Sequence, residues 1–233
     1  ESIKDHRIKI ISIENHGLAH ARNVAISNAK GEYISFVDAD DFLSPRFVEL
    51  LIDAIIENKT MTAWGGIVHL DMNGKPRWEQ HYPITGFTIF TNEDLMISKI
   101  QSINAGLISR EIFDKFNFDE RVKMFYEDTL MEFKILFNYP KTAFIEECIY
   151  FYSSEDNDSI TRGQCDTNKY LMRFLYGIIC NVEICLIMSS KSIKVAKSIA
   201  KKTMNTYCAY CSSIATRKDV LNKNINFEIV DIT

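Results

Sequence analysis

Asp38, Asp40 and Asp41 place three carboxylates within four positions, directly after the apolar run Tyr33-Ile34-Ser35-Phe36-Val37. Carboxylates this close repel one another and lose hydration together, and a divalent cation carrying a diphosphate relieves both costs. The chemistry on offer is metal or phosphate binding. A plainer reading exists: Asp is a favoured helix cap and Pro45 suits a first helical turn, so Asp40 or Asp41 can cap a helix starting near residue 45. Capping accounts for one carboxylate, not three. The run itself is short, aromatic and β-branched and follows the breaker Gly31, which predicts a buried strand over 33–37. In open α/β sheets, ligands bind beyond the carboxyl ends of such strands.

Upstream, Asn15-His16-Gly17-Leu18-Ala19-His20-Ala21-Arg22-Asn23 leads through Ala25, Ile26 and Ala29 to Lys30-Gly31-Glu32-Tyr33. Gly17 permits a tight turn or a positive φ between strand and helix, and the alanines let that helix sit close to a sheet. Arg22 offers a forked donor to a phosphate, or is a surface helix arginine. Downstream, Phe118-Asp119-Glu120-Arg121 precedes Met124-Phe125-Tyr126-Glu127-Asp128-Thr129. There Glu127 and Asp128 either complement the positive end of a helix running through Leu130, Phe133 and Leu136 or supply a base. A third stretch, Tyr150-Phe151-Tyr152 followed by Asp158-Ser159-Ile160-Thr161-Arg162, reads as a strand and then a polar loop whose hydroxyls and Arg162 can donate to phosphate oxygens.

Together these stretches resemble the family 2 glycosyltransferases, inverting enzymes of the GT-A fold. The family pattern is Asn-x-Gly, Ala-Arg-Asn, a small-residue helix, Gly-Glu-Tyr and a strand ending in Asp-x-Asp-Asp, and residues 15 to 41 follow it in order and spacing. The resemblance implies a nucleotide-diphospho-sugar donor, with Mn²⁺ or Mg²⁺ held by Asp40 and Asp38, and Asp38 alternatively holding the ribose. Asn15, Gly17, Arg22 and Arg162 would contribute to the donor site. Asp128, the aspartate of the Glu-Asp pair, would be the general base acting on a hydroxyl of a glycan or lipid-linked acceptor in bacterial surface polysaccharide synthesis. The match begins only after the strand, helix and second strand with which members of this family open. Ile8 to Ile13 would correspond to a later strand of the nucleotide-binding half. A sheet without its middle strands presents unpaired edges, so the expectation is a fragment that does not by itself bind nucleotide sugar normally.

Alternation of a helix near 18–29, a strand at 33–37 and a helix near 45–57 implies parallel strands with crossover helices, hence a mixed, mostly parallel α/β sheet. Strands at 62–70 and 76–82 flank the turn signal Asn73-Gly74 and predict an antiparallel hairpin carrying Trp64 and Trp78. These tryptophans can stack on a sugar ring or pack in the core, and packing is the commoner fate. A helix near 93–100, a strand at 105–108, strands at 143–145 and 149–152, and helices from 166 to about 216 complete the pattern. The domain boundary is placed near Gly163, dividing a catalytic unit (1–163) from a helical region (164–233).

The chain has 233 residues, 46% hydrophobic, enough for one sizeable core, and its formal net charge of −4 argues against nucleic acid as a partner. Cysteines at 148, 165, 180, 185, 208 and 211 lack paired metal-site spacing and read as reduced, which suits the cytoplasm. The apolar stretch from Leu171 to Met188 is interrupted by Arg173, Asn181 and Glu183 and reads as a helix packed on the catalytic unit. Lysines at 191, 194, 197, 201 and 202 then alternate with apolar residues, a face that is either solvated or lies on an anionic membrane. The C-terminal helices could equally join copies into a homo-oligomer. Two readings rival the transferase. A non-catalytic assembly fragment is one; a haloacid dehalogenase-type phosphatase is the other, and there the Asn-x-Gly and Ala-Arg-Asn elements have no role.

Overall fold

The computed structural model describes residues 5–71, 73–80, 86–89, 102–122, 125–153, 167–190 and, beyond these, 192–194, 196, 197, 199–201, 204 and 205. The expected helix at 93–100, the Ser159 to Arg162 segment and the boundary at Gly163 lie outside them.

Gly17, with φ 97°, turns the chain into helix α1 (Leu18–Asn28), which buries Ala19, Arg22 and Ile26. Strand β1 (Tyr33–Ile34) follows, then the short β2 (Phe42–Leu43) and helix α2 (Phe47–Asn58). Lys59 ends α2 in the left-handed region, and β3 (Thr62–Leu70) runs through the core. It turns back into β4 (Pro76–Gln80); the loop is closed by Asp71, whose Oδ1 accepts from Asn73 N and Lys75 N, both at 2.8 Å, with Gly74 at φ 71°. Next come β5 (Gly86–Ile89), a 3₁₀ turn (Ile103–Ala105), β6 (Gly106–Ser109) and the short helix α3 (Arg110–Phe113). Helix α4 (Glu127–Asn138), strand β7 (Lys141–Tyr152) and helix α5 (Thr167–Ser189) complete the described order.

The strands make one sheet in the order β1-β6-β3-β7-β2, with β4 beside β3 and β5 beside β7. It is mixed, as expected, but within the described residues only the β3–β7 ladder is parallel and the others are antiparallel. The reason is β6: it lies between β1 and β3 and runs against both, so these two point the same way and α2 crosses over between them without a ladder of their own.

Three expectations are corrected. The strand at 33–37 is paired only at Tyr33 and Ile34, after which Phe36 turns its ring into the edges of Phe113 and Phe118. The segment Ile8 to Ile13 forms no strand: its isoleucines are exposed and no described strand lies beside it. The two strands expected at 143–145 and 149–152 are one, β7, whose ladder with β3 shifts register between Trp64 and Ile67 to accommodate Glu146 and Glu147.

Two cores flank the sheet. On one side α2 packs Phe47, Leu51, Ala54 and Ile55 against Ala63, Ile67, Leu107 and Tyr150. On the other, α1, α4 and α5 bury Ile26, Leu130, Phe133, Cys180, Ile184 and Met188 with Trp64, Ile108 and Phe144. Helix α5 contains a stretch, Met172–Ser189, long and apolar enough by length and composition to cross a membrane. Its Tyr176, Cys180, Ile184 and Met188 are buried in the protein, and Glu183 accepts a 2.6 Å hydrogen bond from Arg121.

Candidate functional site

The three clustered aspartates have three different environments. Asp38 is half-buried: its Oδ2 accepts from Asn104 Nδ2 at 2.8 Å and its Oδ1 from Arg22 Nη2 at 3.3 Å. Asp41 turns inward, its Oδ1 accepting from Ser153 N at 2.8 Å and its Oδ2 taking a short hydrogen bond from the Tyr150 hydroxyl. Burial raises the Asp41 pKa, with Asp40 and Asp38 adding to the rise and the two donors opposing it. Asp40 is exposed and makes no hydrogen bond among the described residues. The capping alternative is excluded, because helix α2 starts without a side-chain cap and Phe47 N donates instead to Ser44 O at 2.9 Å.

Asp41 is thus committed to positioning the loop. Among the described residues no three acidic, histidine or cysteine side chains converge on one point. Asp38 and Asp40 remain as two hard oxygen donors, the number Mg²⁺ commonly takes from protein when phosphates and waters fill its other positions.

Arg22 does not face solvent. It is 7% exposed, lies over the Phe36 and Phe118 rings at 5.7 and 5.4 Å, and its Nη1 donates to Glu127 Oε1 at 2.8 Å while Nη2 serves Asp38. The fork expected to meet a phosphate is occupied by two carboxylates. Its neighbour Asn23 donates from Nδ2 to Phe118 O at 3.0 Å and to Glu120 Oε1 at 2.9 Å, and accepts from Phe118 N at 2.9 Å. The Ala-Arg-Asn element therefore ties helix α1 both to the aspartate loop and to the segment leading into α4.

At the head of α4, Tyr126 adopts φ 67° and Glu127 and Asp128 begin the helix. Asp128 is partly exposed, and its Oδ1 accepts from Thr129 N at 2.7 Å. Glu127 is 4% exposed, and burial, reinforced by Asp128 and opposed by Arg22, pushes its pKa up to about 7. One turn on, Glu132 is 2% exposed, and burial drives its pKa well above the usual carboxyl range. Asn15 works within the backbone: its Oδ1 accepts from Gly17 N at 3.1 Å, shaping the turn into α1.

The buried Arg22 guanidinium thus joins Asp38, Asn104 and Glu127, with Asp128 next to Glu127, Asp40 two residues after Asp38 and Gly17 at the start of α1, while Arg162 lies outside the described residues. Three contributors were not singled out from sequence. Asn104, 5% exposed, is aimed by the 3₁₀ turn that Ser102 Oγ caps, and its lone amide between Ile103 and Ala105 was the available signal. Tyr150 stood out only as part of a strand, although its hydroxyl contacts Asp41, Asn104 and Asp38 N. Glu132 is indistinguishable in sequence from a surface helix acid.

The chain is similar to known proteins in sequence and in fold. Residues 1–116 match the family model described as "Glycosyl transferase family 2". The glycosyltransferase GlyG of Streptococcus pneumoniae serotype 4 is 29% identical over 180 residues, covering 70% of this chain and 58% of that protein. The chondroitin synthase of Pasteurella multocida is 46% identical over 55 residues, 24% of this chain and 6% of that protein. Among solved structures, S. aureus TarS in complex with UDP-GlcNAc superposes with a TM-score of 0.63 at 17% identity, covering 86% of this chain and 56% of that one. The chain thus spans little more than half the length of these longer matches.

Proposed function

Because this chain belongs to glycosyl transferase family 2 and has the GT-A fold, we propose that the protein transfers a sugar from a nucleotide-diphospho-sugar, a UDP-sugar by analogy with the donor bound to TarS, to a hydroxyl of a glycan or lipid-linked acceptor, with inversion. The observation that carries this reading is the Arg22 guanidinium. It grips Asp38 with one nitrogen and Glu127 with another, so the Asp38-Ala39-Asp40 loop and the head of α4 stand one side chain apart despite lying far apart in sequence.

In this reading Asp40 and Asp38 hold Mn²⁺ or Mg²⁺, which when bound supplies neutralisation of the departing diphosphate. The donor set of two hard carboxylate oxygens, one of them unbonded, fits such an ion. Asp128 takes the proton from the acceptor hydroxyl as that oxygen attacks the anomeric carbon from the side opposite the leaving diphosphate, and the ring carries oxocarbenium character in between, as in glycosidases. Arg22 and Asn104 hold the Asp38 carboxylate in place, so positioning is settled before substrate arrives. The same enzyme would work on the cytoplasmic side of a membrane, where lipid-linked acceptors are found.

The test is nucleotide release by the full-length protein with Mn²⁺ over a panel of UDP-sugars, beside Asp40→Ala and Asp128→Asn. We expect turnover that requires the ion and falls by about a hundredfold or more in each variant, the size of a lost general base. Absence of turnover with every donor, together with absence of Mn²⁺ binding, would overturn the proposal.

A further inference from the structure

The two tryptophans have opposite fates. Trp64 is 3% exposed in the core, whereas Trp78 on β4 is 51% exposed. Trp78 pairs across the hairpin with His69, and the two rings stack with centroids 3.7 Å apart at an interplanar angle of 10°. His69 in turn pairs with Tyr152 of β7, ring centroids 5.2 Å apart. Trp78, His69 and Tyr152 therefore make one row across the sheet, at the carboxyl ends of the parallel pair β3 and β7. That is the end at which open α/β sheets bind ligands.

The row also leads to the candidate site. Two residues back along the strands, Ile67 pairs with Tyr150, so Tyr150 shares the face of His69 and Tyr152, and its hydroxyl bonds Asp41. On the far side, the residue after Tyr152 is Ser153, whose N–H holds the other Asp41 oxygen. The aromatic row and the aspartate loop are neighbours fixed by the same strand.

We propose that Trp78, backed by His69 with Tyr152 behind it, is a platform for a pyranose ring of the bound saccharide. This assignment rests on the transferase reading above. A pyranose has an apolar C–H face that the indole face turned away from His69 can cover, while its equatorial hydroxyls stay at the solvated rim. Stacking on His69 fixes the indole plane in advance and lowers the ordering cost of binding.

The experiment uses the full-length protein. Intrinsic fluorescence is titrated with methyl glycosides and short oligosaccharides of glucose, galactose and N-acetylglucosamine, then with UDP-sugars and UDP alone. We expect a saturable shift in the wild type that is absent in Trp78→Phe. In turnover, Trp78→Leu raises KM about tenfold for the substrate that supplies the ring while kcat changes less than about threefold, and Trp78→Tyr restores most of the loss. A shift with free saccharides assigns the ring to the acceptor; a shift with UDP-sugar but not with UDP assigns it to the donor. Should Trp78→Leu fail to fold, the Tyr and Phe variants decide. Turnover in the wild type with no saccharide-dependent shift and unchanged KM values in these variants would overturn the platform alone. A saturable shift with neither turnover nor Mn²⁺ binding would leave the platform standing and overturn the transferase reading.

Discussion

Arg22 and Glu127 form a buried pair, and its energetics are governed by desolvation. Glu127 titrates near 7 in the fold, against an ordinary value of 4.5, chiefly because burial disfavours its charge. Between those values the folded chain keeps a proton that the unfolded chain has released, so stability is higher at the acid end and falls as pH rises from about 4.5 through about 7. The window corresponds to about 3 kcal/mol, and Glu132 and Asp41 shift in the same direction. The metal-free protein in chelator should therefore melt higher at pH 5 than at pH 8, and Glu127→Gln should flatten the difference. Removing the cation makes the sharper test. Arg22→Met leaves the carboxylate without its partner, so the variant should lose about 3 kcal/mol or more at pH 8 and markedly less at pH 5, where Glu127 is neutral. Equal losses at both pH values in denaturant titrations would mean that Arg22 stabilises through packing on Phe36 and Phe118 alone. The spacing of Ala-Arg-Asn marked Arg22 from sequence, but its partner 105 residues on could not be read there, because ion pairing across a fold leaves no local periodicity.

Elements with a strong local signal were legible: α1, α2, the β3–β4 hairpin and the helix opened by Glu127-Asp128 stand within a residue or two of expectation. What was not legible depends on neighbours. Tyr33 to Val37 has strand composition throughout, yet only two residues pair, since a ladder needs a partner in register as well as propensity. Likewise the strands expected at 143–145 and 149–152 are one, because the register shift against β3 carries the strand through Glu146 and Glu147. That region is held by a close approach. A Cβ on Gly65 would fall on the Ile149 side chain and within 3.1 Å of Ile145 Cγ1. Gly65→Ala should thus destabilise by about 1–3 kcal/mol through overpacking. Adding Ile149→Ala, which removes both the Cδ1 and the Cγ1 atom in the way, should leave the double variant less destabilised than the sum of the two singles. Chemical denaturation of the two single variants and the double closes the cycle; strict additivity would show that the glycine serves β3 for some other reason.

At the scale of the molecule, helix α5 shares its hydrophobic core with the sheet and α4. Cys180, Ile184 and Met188 of α5 are buried in the same cluster as Phe133 of α4 and Ile108 of β6, and Arg121 bridges to Glu183 across the join. A helix packed this way should unfold with the sheet as one cooperative unit. Cys180 reports on it directly. Its thiol is 1% exposed and burial pushes its pKa up to about 12, so it is both hidden and almost wholly protonated while α5 is docked. Labelling with iodoacetamide, resolved by peptide mass spectrometry, should leave Cys180 unmodified until the denaturant concentration at which the sheet itself melts by circular dichroism. Met188→Ala, which empties a fully buried position, should move both transitions down together, by about 2–5 kcal/mol. Were α5 a separate domain resting on the surface, Cys180 would label well before the sheet unfolds and Met188→Ala would advance only the labelling. The outcome matters for function, because α5 covers the back of α4, the helix whose first turn carries Asp128. A cooperative α5 would therefore help to fix the position of the proposed base.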